Sequence, residues 1–356
     1  MDPRVTKLAE ILVNYSIKIK EGDIIKINGG IESQDLVLEC YRLVLEKGAH
    51  PRVNIGLPNQ SYIYYKSSSE KQLSKIPKIS LFEARNTDGI ISIWSSSNTR
   101  ELSNIDPKKM ALRQSTLRPL LDIRLKKDNW VGCGYPTMAA AQEADMSLAE
   151  FKDFAFDAMI QNWEEQSKKQ DKLKKILDQG NKVRIIGKET DISFSIKGMK
   201  GKKCDGKRNM PDGEVFTSPI PNSVNGKIYY EFPAIYGGRE VIGIRLEFKD
   251  GKVIKASADK NEKYLKQMIA MDKGSCYLGE LGIGCNFKLD RFIKSILFDE
   301  KLGGTIHLAL GNAYPECGKG GNKSALHWDM IKDLRKQGKL IIDDKVILNK
   351  GKFNVA

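Results

Sequence analysis

Histidine is scarce in this chain, three in 356 residues, and two of the three lie near its C-terminal end on apolar segments: His307 in TIHLAL and His327 in LHWDM. Asp329 stands two residues past His327. Side chains alternate in facing along a strand, so on a strand His327 and Asp329 point one way and Trp328 the other. Glu280 is the one charge inside YLGELGIG, where a carboxylate is costly unless it is paired or ligating. Glu214 follows an Asp-Gly turn in MPDGEVFTSP, and Tyr314 sits at a turn before Pro315. Two imidazoles, three carboxylates and a phenol suit borderline divalent ions such as zinc or cobalt and are too nitrogen-rich a set for calcium. Three carboxylates, or four anions if the phenol ionises, nearly balance two divalent cations, so the donor count favours two divalent metal ions over one. For either histidine taken alone, the competing reading is a core imidazole satisfied by a backbone carbonyl.

Other chemistries compete for the same stretch. Cys317 lies between Tyr314 and His327 and could be a nucleophile with His307 or His327 as its base. Nothing flanking it marks a nucleophile elbow or a thiol-protease signature, and a small buried thiol is the better reading. The run Gly318–Ser324 (GKGGNKS) looks like a P-loop, but Asn322 stands where the glycine before Lys-Ser belongs and no strand-loop-helix unit surrounds it. GELGIG has glycines in the order G-x-x-G-x-G, not the dinucleotide order.

The elements that must position these residues read as strands joined by Gly, Asp and Asn turns: KVRIIG, DISFSIKG, IYYEFPAIY and REVIGIRLEFKDGKVIKASA, with a hairpin turn at Lys249–Lys252. A helix near Asn261 to Met271 and a closing hairpin around LIIDDKVIL complete that half. The first half alternates helical and strand patterns, the mark of βαβ units and a mostly parallel sheet. Spacing predicts a helix from Val5 to Ile17, a strand from Asp23 to Gly29, and a helix from Ser33 to Lys47 closed by Gly48. Strands follow at Pro51–Leu57, Asp88–Ser95 and near Trp130, with a helix around Pro107 to Ser115. Ser147-Leu-Ala-Glu150 is a capping box that opens a long helix running past Trp163 towards Gly180. The fold class is therefore α/β: an N-terminal α/β domain with a mostly parallel sheet, residues 1–180, and a C-terminal α+β metal-binding domain rich in antiparallel strands, residues 181–356.

At 40% hydrophobic and 29% charged, the chain can bury a large core, which excludes disorder and fibrous classes. It contains no run of eighteen or more apolar residues, and charges interrupt MDPRVTKLAEILVNY, so neither a membrane span nor a secretory signal is expected. Six cysteines without a C-x-x-C pair suit reduced thiols and a cytoplasmic location, with no structural disulfide. The net charge is +14, but pairs such as Lys168-Lys169 and Lys202-Lys203 are dispersed among acidic residues. A lysine-rich solvated surface, and no nucleic-acid partner, is the expectation.

The blocks NMPDGEVFTSP, YLGELGIGCN, ILFDEKLGGTIHLALGNAYPE and NKSALHWDMI, in that order, resemble the aminopeptidase T and aminopeptidase S family of metalloaminopeptidases, a thermophilic-type metallopeptidase group. The resemblance spans almost the whole chain, with weaker likeness in KLAEILVNYSIKIKEGD and RPLLDIRL. Carried over by position, it implies a two-metal site held by Glu214, Glu280, His307, Tyr314, His327 and Asp329. It further implies a homodimer whose active sites face an enclosed cavity. The implied reaction is removal of N-terminal residues from short peptides by a metal-activated water. Tyr314 would ligate or stabilise the oxyanion, and Glu316, two residues on, is the candidate proton shuttle. One departure is the loop from Glu316 to Leu326, which is shorter than in some relatives and carries Cys317. Two other readings remain: a phosphoesterase-like two-metal hydrolase using the same donors, and a basic nucleic-acid-associated protein with structural metals.

Overall fold

The computed structural model describes residues 2–354. The chain forms two compact units, one of residues up to Gln161 together with Gly206–Pro211, the other of Asn162–Asp205 and the remainder from Asp212.

The first unit is built on a five-stranded parallel sheet. Its order is His50–Gly56, Ile24–Gly30, Gly89–Trp94, Trp130–Gly134 and Asn209–Met210. Ile25, Ile27, Ile91, Ile93, Val131 and Cys133 are buried along its inner strands, as expected where helices cover a parallel sheet. The helix Gln34–Glu46 buries Leu36, Val37, Cys40 and Val44, and Gly48, at φ +71°, turns the chain into the next strand. The helix expected around Pro107 to Ser115 extends to Lys127 and passes through Pro119. Short helices at Gln60–Ser67, Glu70–Leu73 and Lys78–Asn86 had no clear periodic signal, since no apolar face marks the first or third.

The long helix expected from Ser147 is two helices. The capping box forms as read and opens Leu148–Met159, but Asn162 then caps a second helix, Trp163–Gln179, by accepting from the Glu165 amide at 3.1 Å. Asparagine is among the strongest N-cap residues, and its local hydrogen bond interrupts a pattern whose apolar spacing alone is continuous. The division between the units falls at this break rather than at residue 180, and Gly206–Pro211 returns to the first unit as its fifth strand.

The second unit contains an eight-stranded and a five-stranded sheet, both antiparallel. One hydrophobic cluster draws on both, with Ile185, Ile192, Leu246 and Leu340 from the larger sheet and Leu281, Ile306, Leu308 and Trp328 from the smaller. The smaller sheet, in the order His327–Asp333, Thr305–Gly311, Leu278–Gly284, Glu214–Thr217 and Lys202–Cys204, carries the candidate site. Among the described residues, no helix is long and apolar enough to cross a membrane.

Candidate metal centre

Strand alternation sorts the small sheet into two faces. Val215, Leu281, Ile283, Ile306, Leu308, Leu310, Trp328 and Met330 enter the core. The residues between them, Glu214, Glu280, His307, His327 and Asp329, share the other face. Trp328 packs against Tyr236 and Tyr264, with ring centroids 5.6 and 6.3 Å away.

Each of these five polar residues stands opposite a small one across the ladder. Glu214 pairs with Gly284, His307 with Gly282, His327 with Gly311, and both Glu280 and Asp329 with Ala309. Small partners leave the room the side chains need to converge. At Gly282 the requirement is absolute, because a Cβ there would lie 1.9 Å from His307 Nε2.

The convergence has a definite geometry. His307 Nε2 is 3.4 Å from Glu214 Oε2 and 3.6 Å from Glu280 Oε1. His327 Nε2 is 3.3 Å from Glu280 Oε2 and 3.4 Å from Asp329 Oδ2. These separations are long for hydrogen bonds. They match the spacing of donors around one ion, since ligands about 2.1 Å from a tetrahedral centre lie about 3.4 Å apart. Glu280 offers one oxygen to each histidine. Glu214 Oε2, Asp329 Oδ1 and His307 Nδ1 are buried without a hydrogen-bond partner, which a stable interior does not leave without cause. The donor set and these orphaned atoms fit a divalent metal centre. His327 Nδ1 is held at 2.8 Å by the Asn312 carbonyl, which turns Nε2 towards Glu280 and Asp329.

The electrostatics agree. Burial pulls the His307 imidazole down, but the neighbouring Glu280, Glu214 and Asp329 carboxylates outweigh it and hold the group up at about 9. Burial opposes His327 in the same way, and Asp329 and Glu280 take it up to about 11. Burial also raises the Glu214 carboxyl. The clustered carboxylates thus favour positive charge at this site.

Tyr314 differs from the five in standing on a turn. Its ring lies 5.0 Å from that of His327 and 5.3 Å from that of Phe216, and 39% of the residue is exposed. Burial of its hydroxyl and the surrounding carboxylates raise the phenol. Glu316 is exposed on the short helical turn that follows, Pro315–Cys317. Burial pushes the Cys317 thiol up to about 12, far from the thiolate a nucleophile needs.

Sequence reasoning missed the residues behind Glu214. Lys301 is fully buried, with Nζ 3.5 Å from Glu214 Oε1 and in contact with Glu300 Oε1. Cys204 and Asp212 lie within metal-ligand spacing of Glu214. In FDEKLGG three consecutive charges by themselves give no local sign of burial. The available signal was the one used for Glu280, a charge beside a glycine-punctuated apolar strand.

A family model described as thermophilic metalloprotease (M29) matches residues 1–353. The chain belongs to this family. Among its relatives, this M29 chain is 26% identical to Aminopeptidase 2 of Geobacillus stearothermophilus, over 88% of the chain and 84% of that protein. It is 25% identical to aminopeptidase AmpS of Bacillus subtilis, over 90% and 87%. Among solved structures, wild-type AmpT from Thermus thermophilus superposes with a TM-score of 0.85 at 21% identity, covering 99% of both chains. A 2,5-dihydroxypyridine dioxygenase from Pseudomonas putida KT2440 also shares the fold, with a TM-score of 0.61 at 13% identity, over 99% and 97%. The fold therefore does not choose the reaction; the side chains on it do.

Proposed function

We propose that the chain is a metal-dependent aminopeptidase that removes N-terminal residues from short peptides. The observation that carries this reading is the shared carboxylate. His307 lies 3.4 and 3.6 Å from oxygens of Glu214 and Glu280, His327 lies 3.3 and 3.4 Å from the other Glu280 oxygen and from Asp329, and Glu280, His307 and Asp329 offer ligand atoms within 4.8 Å of one another. Glu214, Glu280, His307, His327 and Asp329 would hold two divalent ions, zinc or cobalt by donor chemistry. When bound, they supply Lewis acidity for the scissile carbonyl and lower the pKa of a water to near neutrality.

The remaining roles fall to the chain's own groups. Tyr314 stands at the rim on a turn, a place that suits a hydrogen-bond donor to the developing oxyanion better than a fixed ligand. The proton carrier expected at Glu316 is better served by Glu300. That carboxylate would take a proton from the attacking water and return it to the leaving amine; its contact with Lys301, whose ammonium also lies 3.5 Å from Glu214 Oε1, supports the role. The carboxylates of the cluster also receive the substrate's free amine, which sets exopeptidase register.

Hydrolysis of leucine amide and of its N-acetylated form, measured with metal content, tests the reading. The free-amine substrate is cleaved, the blocked one is not, and chelation abolishes the rate until zinc or cobalt is restored. Glu300→Gln lowers kcat by about 10²- to 10⁴-fold at full metal occupancy, and Glu316→Gln does not. Full activity in metal-free protein removes the proposal.

The reading includes a homodimer in a reducing, cytoplasmic setting. Six free cysteines support the compartment. Exposed Val53 and Ile55 on an edge strand, with exposed Leu57 just past its end, support an interface.

A further inference from the structure

The glycine-rich run Gly318–Ser324 is no P-loop, yet it builds a site. It walls a cavity of about 930 Å³ together with Asp272–Gly274 and Asn312–Pro315. Two of those wall residues also belong to the metal centre: Asn312 holds His327 Nδ1, and Tyr314 stacks edge-on against the His327 ring. The cavity therefore opens beside the proposed scissile bond. Its volume lies near the upper end of the range for small-ligand sites, enough for the part of a short peptide beyond its first residue.

The loop is held in place rather than loose. Asn322 Nδ2 donates to the carbonyls of Gly274 at 2.7 Å and Gly311 at 2.6 Å, and the Asn322 carbonyl accepts from the Ala313 amide at 2.9 Å. Asp272 accepts from the amides of Gly274, Ser275 and Ala325 and from the Ser324 hydroxyl. These bonds consume the one carboxylate in the wall. Lys273, Lys319 and Lys323 are exposed wall residues, and among the described residues none of them forms an ion pair. An open cavity whose loop is held by hydrogen bonds, with three lysines against one carboxylate, carries a net positive charge and favours anions.

Resting on the aminopeptidase reading, we propose that this cavity is a carboxylate-binding subsite. Lys273, Lys319 and Lys323 receive a carboxylate of the peptide whose first residue is cleaved. That carboxylate is either the C-terminal one of a di- or tripeptide or an acidic side chain. The proposal makes the enzyme selective for short or acidic peptides over neutral, C-terminally blocked ones.

The test compares kcat/KM for Leu-Gly-Gly, Leu-Gly-Gly-amide and Leu-Gly-Glu-amide with the metal-loaded enzyme at low salt. The expected result is a preference of about three- to tenfold for a carboxylate-bearing peptide over the neutral amide, the size of a few screened ion pairs. The preference resides mainly in KM and collapses in salt of about 1 M. Preference for Leu-Gly-Gly assigns the subsite to the C-terminal carboxylate, and preference for Leu-Gly-Glu-amide assigns it to an acidic side chain. The combined Lys273→Gln, Lys319→Gln, Lys323→Gln variant loses the preference, while Lys345→Gln, a surface lysine on another sheet, keeps it. Cleavage of all three peptides with equal kcat/KM at low salt overturns the subsite and leaves the aminopeptidase reading standing. Failure to cleave any of them, or leucine amide, overturns both.

Discussion

At the scale of single residues, the site divides by facing. His327 and Asp329 line the polar face and Trp328 the core, so substitutions on consecutive positions separate activity from stability. His327→Ala or Asp329→Ala removes a donor from a pre-formed set; we expect loss of bound metal and a fall in activity of more than about 100-fold, with the melting transition of the metal-free protein little changed. Trp328→Phe empties part of a packed position against Tyr236 and Tyr264 and costs about 1–3 kcal/mol with metals retained. Metal analysis and thermal melts on the same preparations decide it. Trp328→Phe protein that loses its metals at unchanged stability contradicts the assignment of faces.

At the scale of elements, the ladder pairing of each donor with a glycine or alanine is what lets four strands carry one site. Gly282→Ala tests this without touching a donor. The new Cβ overlaps the His307 ring, so His307 must leave its position, and metal content falls although every donor is present. Strand propensity alone predicts the opposite, a small gain from replacing glycine. The loop beside the site gives a second test, in pH. Asp272 is held below the usual carboxylate range by the Ala325 amide, against a smaller effect of burial, and by Ser324 and the Gly274 and Ser275 amides. A depressed folded pKa contributes stability above the unfolded value of about 3.9 and loses it as pH falls through the folded value. Asp272→Ala therefore destabilises by about 1 kcal/mol at neutral pH, allowing for solvent screening, and flattens the acid limb below about pH 4. Proteolysis within Gly318–Ser324 rises in parallel.

For the whole molecule, metal binding and folding are linked. Glu214, Glu280 and Asp329 crowd together in the second unit, and ions that bind only the folded state stabilise it by mass action. Chelation should lower the melting temperature, and readdition of zinc or cobalt should restore it by an amount that grows with free metal; a transition indifferent to metal argues against the site. The proposed dimer is checked by light scattering: twice the chain mass is expected, with Ile55→Lys on the exposed edge strand shifting the equilibrium to monomer.

The sequence determined the candidate donors, the strand character around them and the alternation of helices and strands in the first half, because each leaves a mark in local residue types and spacing. Period-two alternation put His327 and Asp329 on one face before any partner was known, and a lone charge in YLGELGIG marked Glu280. Local spacing also misled where a side chain competed with the pattern, as when Asn162 capped a new helix inside an unbroken apolar period. What only the tertiary structure decided is convergence. Register placed Glu214 opposite Gly284 and His307 opposite Gly282, bringing residues separated by up to about a third of the chain within donor spacing. It buried Lys301, which no local pattern singled out, and left Glu316 exposed. It also made a wall from Gly318–Ser324. Pairing between distant strands depends on which faces bury most apolar surface together, and that quantity belongs to the folded chain rather than to any segment of it.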